Sequence, residues 1–112
     1  MRTIKYIAIH GTASSQRVTV AELKEEFKRK GWRNPGYHYV VSPDGTITQL
    51  LSEELVSNGV RGYNSVLINV AYIGGIDSKG KPVDNRTPAQ KEALVKLLTE
   101  LHKKYPSAII QG

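Results

Sequence analysis

The 112-residue sequence contains no cysteine. This absence excludes disulfide bonds, thiolate metal sites such as a structural zinc finger, and a cysteine nucleophile. Folding therefore depends on an ordinary apolar core, which is feasible because a domain of this length buries roughly two-thirds of the surface of its unfolded chain. We expect one domain, with no room for a second core.

Long hydrophobic runs and an N-terminal targeting segment are missing as well. The apolar stretch 4–9 is too short for a signal-peptide core and contains Lys5. No run approaches the length of a membrane span. We therefore expect synthesis in the cytoplasm without an export route of its own, so that an extracellular role would need another agent for release.

Acidic residues are the scarcer charge, because 10 Asp and Glu stand against 16 Lys and Arg, for a net charge of +6. This balance favours a polyanionic partner, which can be nucleic acid, an acidic cell-wall polymer or an anionic membrane surface. The apolar fraction of 39% is too high for a disordered chain. Composition alone does not choose among these partners.

Hydrophobic periodicity and turn residues predict seven secondary-structure elements. Both helices begin with a capping box, in which a threonine and a Glu or Gln three positions later bond each other's backbone. The order βαβββαβ predicts an α/β fold, a single domain with a mixed central β-sheet flanked by helices. Strands are expected over 3–10, 37–41, 46–51, 67–73 and from 108 onward, and the helices begin after Thr19 and Thr87.

His10 ends the first predicted strand and is followed directly by the polar loop 11–17. Functional sites are often built where a strand ends, because the backbone there is held in place yet open to solvent. A histidine at such a position is a candidate metal ligand or base. Judged from position alone, a half-buried histidine bonded to neighbouring backbone is the more frequent situation.

The run Gly-Tyr-His-Tyr-Val-Val at 36–41 is a second candidate. Strand alternation predicts Tyr37, Tyr39 and Val41 on one face and His38 on the other, so Tyr37 and His38 would not share a cleft. Aromatic residues are also good strand formers, and the run by itself does not indicate a site.

The loop 57–64 carries amides, a guanidinium and a phenol that can hydrogen-bond a sugar-peptide ligand. From composition, a solvated turn is at least as frequent. The sequence has no glycine-rich phosphate loop, nucleophile elbow or HExxH zinc helix.

Taken together, these segments resemble one family, the zinc-dependent N-acetylmuramoyl-L-alanine amidases. This group includes amidase-type bacteriophage lysozymes and the peptidoglycan recognition proteins. The resemblance extends over the whole chain, in order and with short gaps, which makes it more specific than any single motif. It rests on the segments 7–14 (IAIHGTAS), 31–32 (GW), 36–39 (GYHY), 62–65 (GYNS), 74–77 (GGID) and 87–90 (TPAQ).

The resemblance implies a peptidoglycan hydrolase that cleaves the amide between N-acetylmuramic acid and L-alanine. In the family, two histidines and a cysteine or acidic residue hold a zinc ion, which activates the attacking water. Carried over by position, His10 matches the first zinc ligand, and Tyr37 matches the tyrosine that orients this water or stabilises the oxyanion. The positions matching the border of the substrate groove are Thr12, Asn58, Arg61, Tyr63 and Asn64.

The sequence departs from the family pattern at its end. In the family, the strand matching 108–111 leads into segments that supply the second and third zinc ligands, whereas this sequence stops at Gly112. The resemblance thus implies an amidase domain over 1–112 that lacks its C-terminal ligand-bearing segment, with weak zinc binding and poor hydrolysis. His38 and His102 are poor substitutes, since one points away from Tyr37 and the other lies on a helix. Gly11 also departs, standing where many members have a small polar residue or a cysteine that is not a ligand.

Two further functions compete with the amidase. One is a catalytically silent module that binds peptidoglycan in the same groove without metal. The other is a small basic nucleic-acid binder, which is disfavoured because the basic residues are scattered over both helices and the loops.

Overall fold

Five β-strands form the centre of the fold, and a helix covers each face of the sheet. The computed structural model describes residues 2–58 and 64–112. The order of the elements confirms βαβββαβ and the α/β fold class expected from the sequence. The elements are β1 (Tyr6–Gly11), α1 (Val20–Arg29), β2 (Tyr39–Val41), β3 (Ile47–Gln49), β4 (Leu67–Tyr72), α2 (Pro88–Lys104) and β5 (Ile109–Gln111), with a 3-10 turn at Asn64–Val66 before β4.

The strands lie in the order β3-β2-β4-β1-β5, which makes the sheet mixed. β1 pairs in parallel with both β4 and β5, and β2 pairs in parallel with β4. The hairpin between β2 and β3 is antiparallel. β1 is therefore an interior strand, as its apolar residues on both faces predict.

Both helix starts form the predicted capping boxes. Thr19 accepts from the backbone of Glu22 and Thr87 from the backbone of Gln90, and each partner side chain bonds back to the cap. Gln90 also reaches the sheet, where its Nε2 donates to the carbonyls of Val41 and Ile73 at 3.1 Å each. The start of α2 is thereby attached to the ends of β2 and β4.

The sheet separates two apolar clusters. The cluster under α2 is the larger and is formed by Ile4, Ile7, Val41, Ile68, Val70, Ala93, Leu94, Leu97, Leu101 and Ala108. The cluster under α1 is smaller and is formed by Leu23, Phe27, Val40, Ala71 and Ile73. Apolar residues at helical spacing face these clusters, Leu23 and Phe27 from α1 and Leu94, Leu97 and Leu101 from α2.

The predicted face of Tyr37 is wrong. Tyr39 and Val41 pack with the cluster under α2, whereas Tyr37 packs with Val40 and the cluster under α1. The physical reason is that β2 begins at Tyr39, so the strict alternation assumed for 37–41 does not reach Tyr37.

A search of residues 2–58 and 64–112 for a helix long and apolar enough to cross a membrane finds none.

Candidate active site

His10 lies on the face of the sheet that α1 covers. It is directly opposite Ala71 in the parallel β1–β4 pair, and Ala71 belongs to the cluster under α1. Residues paired in this way point to the same face. The imidazole is partly exposed at the carboxyl end of β1, where the strand gives way to the loop that begins at Thr12.

One ring nitrogen of His10 is engaged by the neighbouring strand. Its Nε2 lies 2.8 Å from Oδ1 of Asn69, whose Nδ2 donates to Oγ of Ser57 at 2.6 Å. Because Asn69 offers an oxygen, the Nε2 of a neutral His10 carries the proton. No described residue hydrogen-bonds to the His10 Nδ1, which is the ring nitrogen that remains able to accept a proton or to bind a metal ion.

His38 is held in a separate, fully buried environment. Its Nδ1 accepts from the backbone N–H of Asn69 at 3.0 Å, and its Nε2 donates to the carbonyl of Leu55 at 2.8 Å. Burial lowers the pKa of His38, and the charge of Arg2 adds to this, although the bond to Leu55 acts in the opposite direction. Both ring nitrogens are occupied, so His38 is a structural residue, in line with its exclusion as a metal ligand.

Tyr37 lies beside His10, with the two ring centroids 5.7 Å apart. Its ring also meets Phe27 edge-on at 5.8 Å. Burial raises the pKa of Tyr37, and the charge of Glu26 raises it further, so the phenol stays protonated at neutral pH. The structure therefore brings together the two residues to which the family resemblance assigns the chemistry, with Tyr37 as a neutral hydrogen-bond donor.

An aromatic stack supports Tyr37 from the side of α1. Phe27 stacks on Trp32 with centroids 5.5 Å apart, and the Nζ of Lys30 lies 4.8 Å from the centroid of Trp32. Gly36 fits beneath this stack, because a Cβ at that position would come within 3.2 Å of both rings. The Gly-Tyr pair thus needs its glycine for close packing against α1.

A cleft of about 90 Å³ lies next to Tyr37, and Thr12 and Asn58 are among its lining residues. The Thr12 hydroxyl is 2.6 Å from the Ser14 hydroxyl and accepts from the backbone of Gly74 at 3.0 Å. The Asn58 amide donates to the carbonyl of Asn34 at 2.8 Å. These bonds hold Thr12 and Asn58 in place, each on its own side of the cleft.

The remaining predicted groove residues are divided between described and undescribed parts of the chain. Asn64 begins the turn before β4, and its carbonyl accepts from Arg2 at 3.3 Å. Its Oδ1 lies 3.5 Å from Nδ2 of Asn69, so it adjoins the same network. Arg61 and Tyr63 lie outside the described residues, and their assignment stays a prediction.

The side chains around His10 can be compared with the ligands that a zinc site requires. His10 fits one ligand position, because a ligating histidine usually donates its other N–H to an acceptor such as Asn69. A catalytic zinc site takes three protein ligands. Within the described ranges, however, no group of three or more His, Asp or Glu side chains is placed to hold a metal ion.

Comparison with known proteins decides the family. Residues 1–111 match the family model described as N-acetylmuramoyl-L-alanine amidase. The chain belongs to the N-acetylmuramoyl-L-alanine amidase family. It is 38% identical over 107 residues to the endolysin of Klebsiella phage KP32, which corresponds to 96% of this chain and 71% of that protein.

Solved structures agree with this assignment. The endolysin N-acetylmuramoyl-L-alanine amidase LysCS from Clostridium intestinale superposes with a TM-score of 0.84 at 26% identity, covering 98% of this chain and 69% of that chain. The Drosophila peptidoglycan recognition protein PGRP-LB shares the fold, with a TM-score of 0.79 at 15% identity over 99% of this chain and 70% of that one. The family places the chain among the enzymes that hydrolyse the amide bonds of peptidoglycan.

Gly11, where this amidase departs from the family pattern, has a local explanation. A Cβ at Gly11 would come within 2.9 Å of the Tyr72 hydroxyl oxygen. Tyr72 is the residue opposite Gly11 in the β1–β4 pair, and Arg86 lies over its ring at 5.8 Å. The glycine is therefore matched to the tyrosine that packs against it.

Sequence reasoning missed Asn69 and Ser57, which are both fully buried beside His10. A signal for Asn69 was present, because it is the one polar residue within the apolar strand 67–72. A polar side chain at a core position needs a partner, and here that partner is the candidate ligand. Nothing in the local pattern distinguishes Ser57 from an ordinary loop serine.

Proposed function

We propose that this amidase cleaves the bond between N-acetylmuramic acid and the first L-alanine of the stem peptide at the cleft beside His10 and Tyr37. The observation that carries the proposal is the pairing of these two side chains, whose rings lie 5.7 Å apart on the α1 face of the sheet. One is a histidine whose Nδ1 is bonded by no residue within 2–58 and 64–112, and the other is a protonated phenol at the wall of a polar cleft.

Tyr37 acts as a hydrogen-bond donor in this proposal. Attack of water on the scissile carbonyl places negative charge on the carbonyl oxygen, and a preorganised donor stabilises that charge. A raised pKa suits this role, because the phenol then keeps its proton throughout the working pH range. The rigid stack of Phe27 and Trp32 holds the ring in place without reorganisation during the reaction.

His10 would supply one zinc ligand through Nδ1. Zinc, when bound, lowers the pKa of a coordinated water toward neutrality and polarises the scissile carbonyl. The Nδ1 lone pair of His10 would bind the ion, while Thr12, Asn58 and Asn64 would border the substrate. The described residues offer no cluster of three ligands. The zinc content of the purified protein is therefore a direct test of the proposal.

Positive charge beside the cleft supports an anionic wall polymer as the substrate. A second pocket, of about 210 Å³, shares Phe27 and Trp32 with the cleft and is also lined by Lys24, Lys28 and Arg33. Cations around an apolar floor attract carboxylates and phosphates of the cell wall. The enzyme would reach this substrate after its release from the cell that makes it.

Metal analysis and hydrolysis of purified peptidoglycan together test the proposal. Wild-type protein assayed with excess zinc, which compensates for weak binding, should bind metal and release stem peptides. His10→Ala should lose both properties. His102→Ala is the matched control, because His102 is exposed on α2 and should leave both unchanged. Retention of zinc and hydrolysis in His10→Ala would show that the assigned ligand is wrong.

A metal-independent peptidoglycan-binding module is the second candidate. It is favoured by one observation, namely that no three potential metal ligands cluster among the described residues. This candidate predicts muropeptide affinity in the presence of a chelator and no cleavage under any metal condition. The enzyme predicts cleavage that the chelator abolishes, so calorimetric titration and product analysis on the same samples separate the two.

A further inference from the structure

Asn69 is an unusual residue for its place in the fold. It is fully buried in the central strand β4, between the fully buried apolar residues Ile68 and Val70. An amide in such a position destabilises the fold unless its polar atoms are all hydrogen-bonded. An apolar side chain would fill this position without needing hydrogen bonds, so the presence of an amide indicates a specific role.

Every polar group of Asn69 has a partner. Its backbone N–H donates to Nδ1 of His38, and its backbone carbonyl accepts from the backbone of His38 at 2.8 Å. In the side chain, Nδ2 donates to Oγ of Ser57 at 2.6 Å. With Nδ2 directed to Ser57, Oδ1 is the atom that meets His10 Nε2 at 2.8 Å.

The direction of this last bond determines the state of His10. A neutral imidazole carries one proton, on either Nδ1 or Nε2, and the hydrogen bond made by one nitrogen selects the tautomer. An acceptor at Nε2 selects the Nε2–H form, which leaves the lone pair on Nδ1. Asn69 is thus placed to choose which nitrogen of His10 is available to a ligand.

We propose that Asn69 is a positioning residue that holds His10 in the Nε2–H tautomer and keeps its Nδ1 lone pair available. Asn69 itself does not touch the substrate. It acts through His10, and one step further back Ser57 accepts the bond from the Nδ2 of Asn69. The consequence for zinc binding rests on the proposed function, in which His10 Nδ1 is a ligand, whereas the tautomer itself does not.

The tautomer is measurable in the metal-free protein. The chain has only three histidines, so two-bond ¹H–¹⁵N correlation spectra at pH 8, where imidazoles are mostly neutral, give a small set of ring-nitrogen signals. His10→Ala identifies the signals of His10. His38 is an internal reference, because its Nε2–H state depends on the backbone of Asn69 and of Leu55 rather than on the Asn69 side chain.

Three substitutions distinguish positioning from a general effect on folding. Asn69→Leu removes the acceptor at similar size, and Asn69→Asp keeps an acceptor oxygen facing Nε2. Val70→Ala is the matched control, because the neighbouring residue loses packing on the opposite face of the same strand without touching His10.

We expect the Nε2–H form of His10 in the wild type, in Asn69→Asp and in Val70→Ala, and a mixture of both tautomers in Asn69→Leu. The His38 signals should stay in the Nε2–H form throughout. An Nδ1–H form of His10 in the wild type would overturn the inference, and so would an unchanged His10 tautomer in Asn69→Leu. If Asn69→Leu does not fold, the wild-type and Asn69→Asp spectra still decide, because an Nδ1–H form in either contradicts the assignment.

Zinc affinity separates this inference from the proposed function. In a competition titration with a chromogenic chelator, Asn69→Leu should bind zinc about 10- to 100-fold more weakly than the wild type, and Val70→Ala should bind it equally well. If His10→Ala leaves zinc affinity unchanged while the tautomers behave as expected, the metal role of His10 is wrong and the positioning role of Asn69 stands. Equal zinc affinity in Asn69→Leu and wild type, alongside a loss in His10→Ala, would overturn the effect of Asn69 on the ligand.

Discussion

Among the described residues, the α2 side of the sheet buries ten apolar residues in one cluster, whereas the α1 side buries five. The polar groups differ as well. Near the end of α2, the Glu53 carboxylate is bonded by Tyr39, Tyr105 and Lys104, so that this polar cluster is closed on itself. On the α1 side, the network of Ser57, Asn69 and His10 ends beside Tyr37 at an Nδ1 to which no described residue bonds.

The molecule therefore derives most of its stability from the α2 side and places its reactive groups on the α1 side. A polar cluster whose carboxylate is bonded within the protein and a large apolar core both contribute to folding. A smaller core with a cleft and an open-ended hydrogen-bond chain is less stabilising and leaves groups available to react. The two sides should therefore respond differently to substitution, in stability on one side and in activity on the other.

The largest effect on stability is expected at Leu101, which is 1% exposed in the cluster under α2. Leu101→Ala should lower the free energy of unfolding by about 2–5 kcal/mol through lost burial and the cavity left behind. The specific activity of the folded fraction should be unchanged. Urea denaturation measures the effect, and Val95→Ala, at an exposed position of the same helix, should change it by less than about 0.5 kcal/mol. A comparable loss at both positions would contradict the assignment of the core.

Tyr37→Phe should lower activity and leave stability nearly unchanged, which is the reverse of the effect at Leu101. Removal of one oxyanion donor costs about 10²- to 10³-fold in rate, whereas stability should change by less than about 0.5 kcal/mol because the hydroxyl bonds to no described residue. The matched control is Tyr39→Phe, two positions along the chain, which removes the hydroxyl bonded to Glu53. This control should destabilise the fold and leave hydrolysis per folded molecule intact. An equal loss of hydrolysis in both variants would remove the distinction between the two sides.

Glu53 should give the closed polar cluster a characteristic pH dependence. Burial acts to raise the pKa of Glu53, but the bonds from Tyr39, Tyr105 and Lys104 outweigh it, and the net pKa is lowered. A carboxyl with a lowered pKa in the folded state stabilises the protein above its unfolded pKa, and this contribution is lost as pH falls through the folded value. Glu53→Gln should therefore cost about 1–3 kcal/mol at pH 7 and flatten the decline of stability below pH 4.5.

The same cluster also predicts behaviour at alkaline pH. Burial, followed by the bond to Glu53, raises the pKa of Tyr105 to about 12. A phenol with a raised pKa stabilises the fold below pH 10, and the contribution disappears as pH rises toward 12. Thermal denaturation of wild type and Glu53→Gln between pH 3 and pH 11 measures the loss of stability at acidic and at alkaline pH. Parallel curves for the two proteins would contradict the role of Glu53.

The helix caps should show the smallest difference between the two sides. Thr19→Ala at the exposed cap of α1 should cost about 0.5–1 kcal/mol. Thr87→Ala at the cap of α2 should cost more, up to about 2 kcal/mol, because the Thr87 hydroxyl also donates to the carbonyl of Pro43 at 2.6 Å. Urea denaturation of both variants checks the order, and a larger loss at Thr19 would contradict it.

The sequence predicted the fold where local signals and tertiary packing agree. The capping boxes at Thr19 and Thr87, the interior position of β1 and the helical stripes all follow from spacing that each element needs in order to form. The face of Tyr37 was predicted wrongly, because the start of β2 depends on pairing with β4 rather than on residues 37–41 themselves.

The site was predictable in part. The family resemblance singled out His10 and Tyr37, which the structure brings side by side, although their roles remain predictions. The buried network behind His10 was not predicted, because Ser57, Asn69 and His10 are far apart in sequence and meet only through the pairing of β1 with β4. Short-range periodicity carries no information about such partners.

Mass spectrometry of the products released from purified peptidoglycan identifies the bond that is cleaved. Cleavage at the His10–Tyr37 cleft should yield free stem peptides that begin with L-alanine, together with glycan strands from which the peptides have been removed. His10→Ala should release neither, while His102→Ala should release both at the wild-type rate. Products in which the peptide is still attached to N-acetylmuramic acid, or equal release by His10→Ala, would contradict the claim that the His10–Tyr37 cleft cleaves this amide.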